Sequence, residues 1–160
     1  MVFLEDTDGD DKMDKRTLLF DGFGTWDTHA GPANLKYGID NQIWGSVGYS
    51  GFENTFEGKT VNFTRGIYRF SQAGKSFEPI GQFNNNTWGL GITQDFQIFG
   101  STANNNHACY IGIPLRYYEH LPKRPSWALN ADFIQGHYEI SSPDPIPLQQ
   151  VDVRGGYTAA

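Results

Sequence analysis

Residues 35–46 read LKYGIDNQIWGS, and 55 residues later residues 90–101 repeat the pattern as LGITQDFQIFGS. In register, Leu35 meets Leu90, Asp40 meets Asp95, and Gln42-Ile43 meets Gln97-Ile98. Trp44 then falls on Phe99, and Gly45-Ser46 on Gly100-Ser101. Each copy reads as a short strand, a polar turn and a second strand, which makes a hairpin. The spacing is close to the roughly 40–50-residue repeats of propeller blades. Two aligned hairpins at one period predict a sheet unit stacked radially. The expected fold is all-β, a fragment of a β-propeller with about two four-stranded antiparallel blades plus part of another.

Working outward, the strands expected around the first copy are 34–38, 43–48, 66–71 and 77–83. Pro79 puts the last of these at a sheet edge, since proline cannot donate to a ladder. Residues 49–59 are Gly-rich and polar and read as a loop. The second unit supplies strands near 88–92, 97–101 and 108–113. Upstream, Val2-Phe3-Leu4 and Thr17-Leu18-Leu19-Phe20 form a hairpin around an acidic run. The resulting division is 2–20 as the outer hairpin of a preceding blade, 25–83 as a complete blade, 84–114 as the start of the next, and 115–160 as a long connection into a further one. Within that connection 115–120 suits one helical turn, 121–150 is proline-rich with little periodicity, and 150–154 suits a last short strand. Propellers typically close with four to eight blades, so this arc is expected to belong to a longer protein. An assembly of copies and a two-sheet sandwich are the alternatives.

Composition narrows the classes. Aromatics at 15% together with 19 Gly favour short strands joined by tight turns. A net charge of −6, with Lys and Arg scattered, excludes a basic footprint for nucleic acid. No apolar run is long enough to span a bilayer. Met1-Val2-Phe3-Leu4 runs into acids without a basic start or cleavage site, so no signal peptide is read. Cys109 is the sole cysteine, which excludes an intrachain disulfide and a CxxCH haem attachment and suits a small core residue.

The sharpest local signal is Asp6-Thr7-Asp8-Gly9-Asp10-Asp11-Lys12-Met13-Asp14. Hard cations take oxygen ligands, and carboxylates at alternate positions of a tight loop converge on one ion. Asp6, Asp8 and Asp10 match positions 1, 3 and 5 of an EF-hand loop, the Lys12 carbonyl position 7, and Asp14 position 9. Position 6 is Asp11 where the pattern has Gly, and position 12 is Thr17 where it has Glu. Mutual repulsion among five aspartates favours Ca²⁺ over a merely solvated acidic turn, with a structural role.

His29, in Trp26-Asp27-Thr28-His29, is the catalytic candidate. It precedes the innermost strand of the complete blade, and an imidazole titrates near neutrality, as a base acting on an alcohol must. Asp27 orients it only if the loop bends back, and a hydrogen-bonded structural imidazole is an equal reading. His107, His120 and His137 lack zinc-site spacing. Arg65, Arg116 and Arg154 read as solvated surface. Trp26, Trp44, Trp88 and Trp127 offer faces for a sugar or a flat cofactor, but the repeat position of Trp44 assigns it to the core. The asparagine runs 84–86 and 104–106 bond turn backbone or supply amides to a ligand. No phosphate loop, GxSxG elbow or Cys-His pair is present.

Phe3-Leu4-Glu5-Asp6-Thr7-Asp8-Gly9-Asp10 with Lys15-Arg16-Thr17 resembles the acidic loop between propeller strands in the membrane-bound dehydrogenase-like proteins of Planctomycetes, Verrucomicrobia and Bacteroidetes. The similarity continues through Gly22-Phe23-Gly24-Thr25, Asp27-Thr28-His29, residues 45–52, 66–70, 85–91 and 99–104, and ends in Arg116-Tyr117-Tyr118-Glu119 and residues 155–160. It implies a propeller like that of soluble quinoprotein glucose/sorbosone dehydrogenases, with a c-type haem domain in the full-length protein. It also implies a periplasmic or cell-envelope location, pyrroloquinoline quinone (PQQ) as cofactor and a small sugar or alcohol as substrate; the His29 and Asp27 pair read from the residues would then be catalytic. The alternative is a non-catalytic, calcium-stabilised propeller for carbohydrate binding or protein interaction.

Overall fold

The computed structural model describes residues 1–83, 85–104 and 109–118. The chain runs through β1 (Val2–Glu5), β2 (Lys15–Leu18), β3 (Pro32–Tyr37), β4 (Gln42–Val47), β5 (Phe52–Phe56), β6 (Lys59–Phe63), β7 (Gly66–Ser71), β8 (Phe77–Gln82), β9 (Thr87–Ile92), β10 (Ile98–Thr102) and β11 (Cys109–Ile111), then a 3-10 turn, Leu115–Tyr117. It is all-β, built from small antiparallel sheets in the manner of a propeller fragment. The order β3-β4-β7-β8 makes one four-stranded sheet, β11-β10-β9 a three-stranded one, and β1-β2 and β5-β6 two ribbons. No closed barrel is formed among the described residues.

The four strands expected around the first copy are those of the central sheet, and β8, which carries Pro79, is its edge. The ladder shifts between Ile67 and Tyr68, where Tyr68 pairs with Pro79, so the missing N–H falls at an irregularity. The two copies of the repeat turn alike. Gly38 and Gln42 share a bond of 2.9 Å, and Asn41 N–H closes the turn on the Gly38 carbonyl at 3.2 Å. Thr93, Gln97 and Phe96 reproduce this at 3.0 Å each, and Asn41 and Phe96 both take left-handed φ, 58° and 65°.

One expectation needs correction. Residues 49–59 are not a loop, because β5 and β6 form a five-pair hairpin from Phe52↔Phe63 to Phe56↔Lys59. Its two-residue turn, Glu57-Gly58, has positive φ at both positions, 49° and 82°, the mirror-type turn whose twist matches paired strands. The polar residues of this ribbon face solvent, while Phe52 and Phe63 are buried.

Both faces of the central sheet are covered over β4, β7 and β8, while the edge strand β3 is exposed along its length. On one, Tyr68 and Phe70 join Phe20, Phe52, Phe63 and Phe77 in an aromatic cluster. Phe52 stacks on Phe77 at 3.8 Å, and Phe20 meets Phe70 edge-on at 5.0 Å. On the other, Trp44, Ile67, Ile80 and Phe83 pack against Leu90, Ile98, Cys109 and Ile111 of the next sheet. The two copies therefore lie in separate sheets stacked through one apolar layer. Burial of these large side chains, at roughly 25 cal/mol per Å² of apolar surface, is what holds the stack. Trp44 and Cys109 are core residues, as expected, at 2% and 1% exposure.

The glycines of the repeat are needed for close approach. A Cβ at Gly45 would lie 2.6 Å from the Tyr68 hydroxyl, and one at Gly100 would lie 2.6 Å from the Phe83 ring. Residues 119–160, with the proline-rich stretch, the last expected strand, His120, His137, Trp127 and Arg154, lie outside the described residues, as do Asn84, Asn105, Asn106 and His107.

Candidate functional site

Three places bear on function: the acid loop, the His29 segment, and a cleft beside the β5–β6 hairpin. In the loop between β1 and β2, Asp6, Asp8 and Asp14 each bring one carboxylate oxygen within 4.8 Å of the others. Asp6 Oδ1 accepts the N–H of Gly9 at 2.7 Å, and its Oδ2 that of Asp11 at 2.9 Å. These donors, Gly9 above all, hold the Asp6 carboxyl below its ordinary 3.8. Asp14 accepts both N–H and Oγ1–H of Thr7, the latter at 2.7 Å. Asp11, where an EF-hand has Gly, supplies the same left-handed backbone at φ 64°; Asp is among the few residues that tolerate it. Asp10 is outside this group and instead takes the Lys12 N–H at 2.9 Å and its ammonium at 3.2 Å. The donor set is three hard oxygens in a tight turn, which fits Ca²⁺ with the remaining coordination left to water or carbonyls.

His29 lies on the connection from β2 to β3 with its side chain 84% exposed. Asp27 Oδ1 accepts the backbone N–H of His29 at 3.0 Å, while the imidazole Nδ1 stands 4.0 Å away. The loop does bend back, but the carboxylate grips the main chain, beyond hydrogen-bond reach of the ring. The Asp27 carbonyl accepts the Ser50 hydroxyl at 2.7 Å, which anchors the segment to the start of β5.

The cleft of about 510 Å³ is lined by Gly22, Gly24 and Trp26, by residues 49–53, and by residues 62–65. Its floor is backbone. Glu53 N–H bonds the Gly22 carbonyl at 2.9 Å, and Gly24 N–H bonds that of Gly51 at 3.2 Å. The strands run so close that a Cβ at Gly24 would lie 2.1 Å from the Ser50 carbonyl. Tyr49 is fixed by its hydroxyl to Asn85 Oδ1 at 2.6 Å and by its N–H to Asn86 Oδ1 at 3.1 Å. Asn85 and Asn86 thus hold the protein's own loop. Arg65 lies over the Tyr49 ring at 5.5 Å with Nε on the Phe83 carbonyl at 2.9 Å. Sequence reasoning missed this cleft because three separated stretches build it; Trp26 was its only visible sign.

The fold and these sites define an all-β, propeller-type chain with an acidic hairpin loop and an aromatic cleft. The chain belongs to a family described as a domain of unknown function (DUF7133), whose model matches residues 1–160. No curated protein and no solved structure matches it.

Proposed function

We propose that the chain is an arc of a calcium-stabilised propeller module whose task is binding. The observation that carries this reading is the convergence of Asp6, Asp8 and Asp14 within 4.8 Å on a turn with left-handed backbone at Asp11, where an EF-hand loop has Gly. A cation there would neutralise the carboxylates and pin the β1–β2 ribbon. Titration calorimetry and melting of chelator-stripped protein with Ca²⁺ test it. Saturable heat and a raised melting temperature are expected, both lost in Asp6→Asn and Asp14→Asn. Absence of both in the unaltered protein would refute it.

The second reading is a quinoprotein-like dehydrogenase acting on a sugar or alcohol, in a longer, cell-envelope protein with PQQ and a haem domain. It is supported by the resemblance and by the exposed imidazole of His29. A dye-linked assay on the full-length protein with PQQ and a sugar panel tests it; activity surviving His29→Ala removes this base.

A further inference from the structure

We infer that the cleft between the 22–26 segment and the β5–β6 hairpin is a carbohydrate site that seats a neutral pyranose ring with Trp26 and Tyr49 as its aromatic surfaces. The proposal gives the binding-module reading its site and does not depend on calcium.

Trp26 is 72% exposed and Tyr49 39%. Among the described residues Trp26 has neither a hydrogen bond nor a ring contact, and most of its apolar face is open to solvent. An indole left bare at the rim of a preformed cleft is the feature that needs an occupant. Tyr49, by contrast, is clamped at both ends and overlain by Arg65, which makes it a rigid wall.

The polar lining selects the class. Glu53 offers carboxylate oxygens, with Oε2 taking the Asn62 amide at 2.5 Å. The Arg65 guanidinium lies over the Tyr49 ring and hydrogen-bonds only through Nε, its terminal amino groups having no hydrogen-bond partner among the described residues. Asn62 and Thr64 lie along the same lining, while the Ser50 hydroxyl is spent on the Asp27 carbonyl. The lining thus holds both donors and acceptors beside aromatic rings. Hydroxyl groups, each donor and acceptor at once, match that lining, and the C–H face of a pyranose matches the aromatics. One arginine and one glutamate in the lining leave the cleft near neutral, which disfavours phosphorylated or polyanionic ligands in a chain of net charge −6. The backbone floor keeps the cleft formed without ligand, so little ordering is lost on binding.

The test is tryptophan-fluorescence titration of the full chain with neutral cello-, manno-, xylo- and malto-oligosaccharides up to about 10 mM, the weak end of specific recognition. At least one should give saturable change. Trp26→Ala and Tyr49→Ala, followed by calorimetry with that sugar, should weaken it by about tenfold or more, and Trp26→Ala should leave the melting temperature unchanged. Asp6→Asn should abolish calcium heat and keep sugar binding, so the two readings fail separately. No saturable binding across the panel, or binding intact in Trp26→Ala, would overturn the proposal.

Discussion

Tyr68→Phe should stabilise this protein. Tyr68 is fully buried, with its ring 4.7 Å from Phe77 and 5.5 Å from Phe23. Its hydroxyl has no hydrogen-bond partner among the described residues and abuts the bare Cα of Gly45. A buried hydroxyl left unpaired costs about 1–3 kcal/mol. Deleting the oxygen leaves a void of one small atom, which at about 24 cal/mol per Å³ returns roughly 0.5 kcal/mol of that gain. The net expectation is about 1 kcal/mol of added stability, or roughly 2–4 °C in melting temperature for a chain of this size. Urea unfolding with an unchanged m-value is the measurement. Alkali gives an independent reading. Burial pushes the phenol well above its ordinary 10.0. Above that pH the unfolded chain ionises and the folded one does not, so the folded state binds more protons and stability falls as pH rises. That share of the alkaline loss should vanish in Tyr68→Phe. Destabilisation by more than about 0.5 kcal/mol would show that the hydroxyl has a partner and refute the reasoning.

Arg69→Met removes a guanidinium that reaches Asp40 at 2.7 Å and Glu78 at 2.6 Å, all three side chains being 20–28% exposed. Glu78 keeps Arg116 at 2.8 Å and Asp40 keeps the Trp44 indole at 3.0 Å, so the expected loss in urea unfolding is about 2 kcal/mol, between exposed and fully buried pairs. Burial raises the Asp40 pKa, but the Trp44 and Arg69 bonds and the Gln42 N–H outweigh it and leave it lowered from 3.8. The stability this confers is present above that value and lost as pH falls through the folded one; in Arg69→Met that acid-dependent loss should shrink. Phe96 holds left-handed φ at 65° while meeting Trp44 edge-on at 5.4 Å. Phe96→Ala should lose the ring and keep the strain, whereas Phe96→Asn keeps the shape that Asn41 uses in the first copy. Asn should therefore be the more stable of the two by about 1 kcal/mol, and equal melting curves would show that no strain is stored there.

The central sheet was legible because its strands carry large apolar residues between turns built by Gly, Asn and Asp. Both covers of that sheet draw on Tyr68, Phe70, Ile67 and Trp44, which periodicity and the repeat exposed directly. The β5–β6 hairpin was not legible. Glu53, Asn54, Thr55, Thr60 and Asn62 give it a loop's composition, and its Glu57-Gly58 turn lacks the usual Asn or Asp. Phe52, Phe56, Val61 and Phe63 on either side of that Gly were the signal available. In the acid loop, spacing grouped Asp6, Asp8, Asp10, Lys12 and Asp14; the structure brings the carboxylates of Asp6, Asp8 and Asp14 together, while Asp10 bonds Lys12. Sequence distance put Asp27 beside His29 without revealing that its carboxylate would bond the main chain. The cleft depends on three stretches meeting in space, which no local pattern encodes.

The repeat itself shows how one motif meets two packing demands. Gly45 makes room for Tyr68, a neighbour within its own sheet, whereas Gly100 makes room for Phe83, which arrives from the end of the preceding sheet. Ser46 donates to the Trp88 carbonyl of the next unit at 3.4 Å, and the Asn34 amide donates to the same oxygen. The glycine-serine pair is thus kept where sheets approach, and its 55-residue spacing follows the stack. Exchanging Trp44 for Phe99 changes the chemistry at the other end of the motif. The indole N–H fixes Asp40 beside Arg69, and with no such donor on Phe99, Asp95 turns to Thr93 and Gln97 at 2.5 and 2.8 Å. The first copy therefore carries the charged latch that reaches Arg116 beyond β11, and the second contributes the aromatic, Phe96, that seals Trp44 from above.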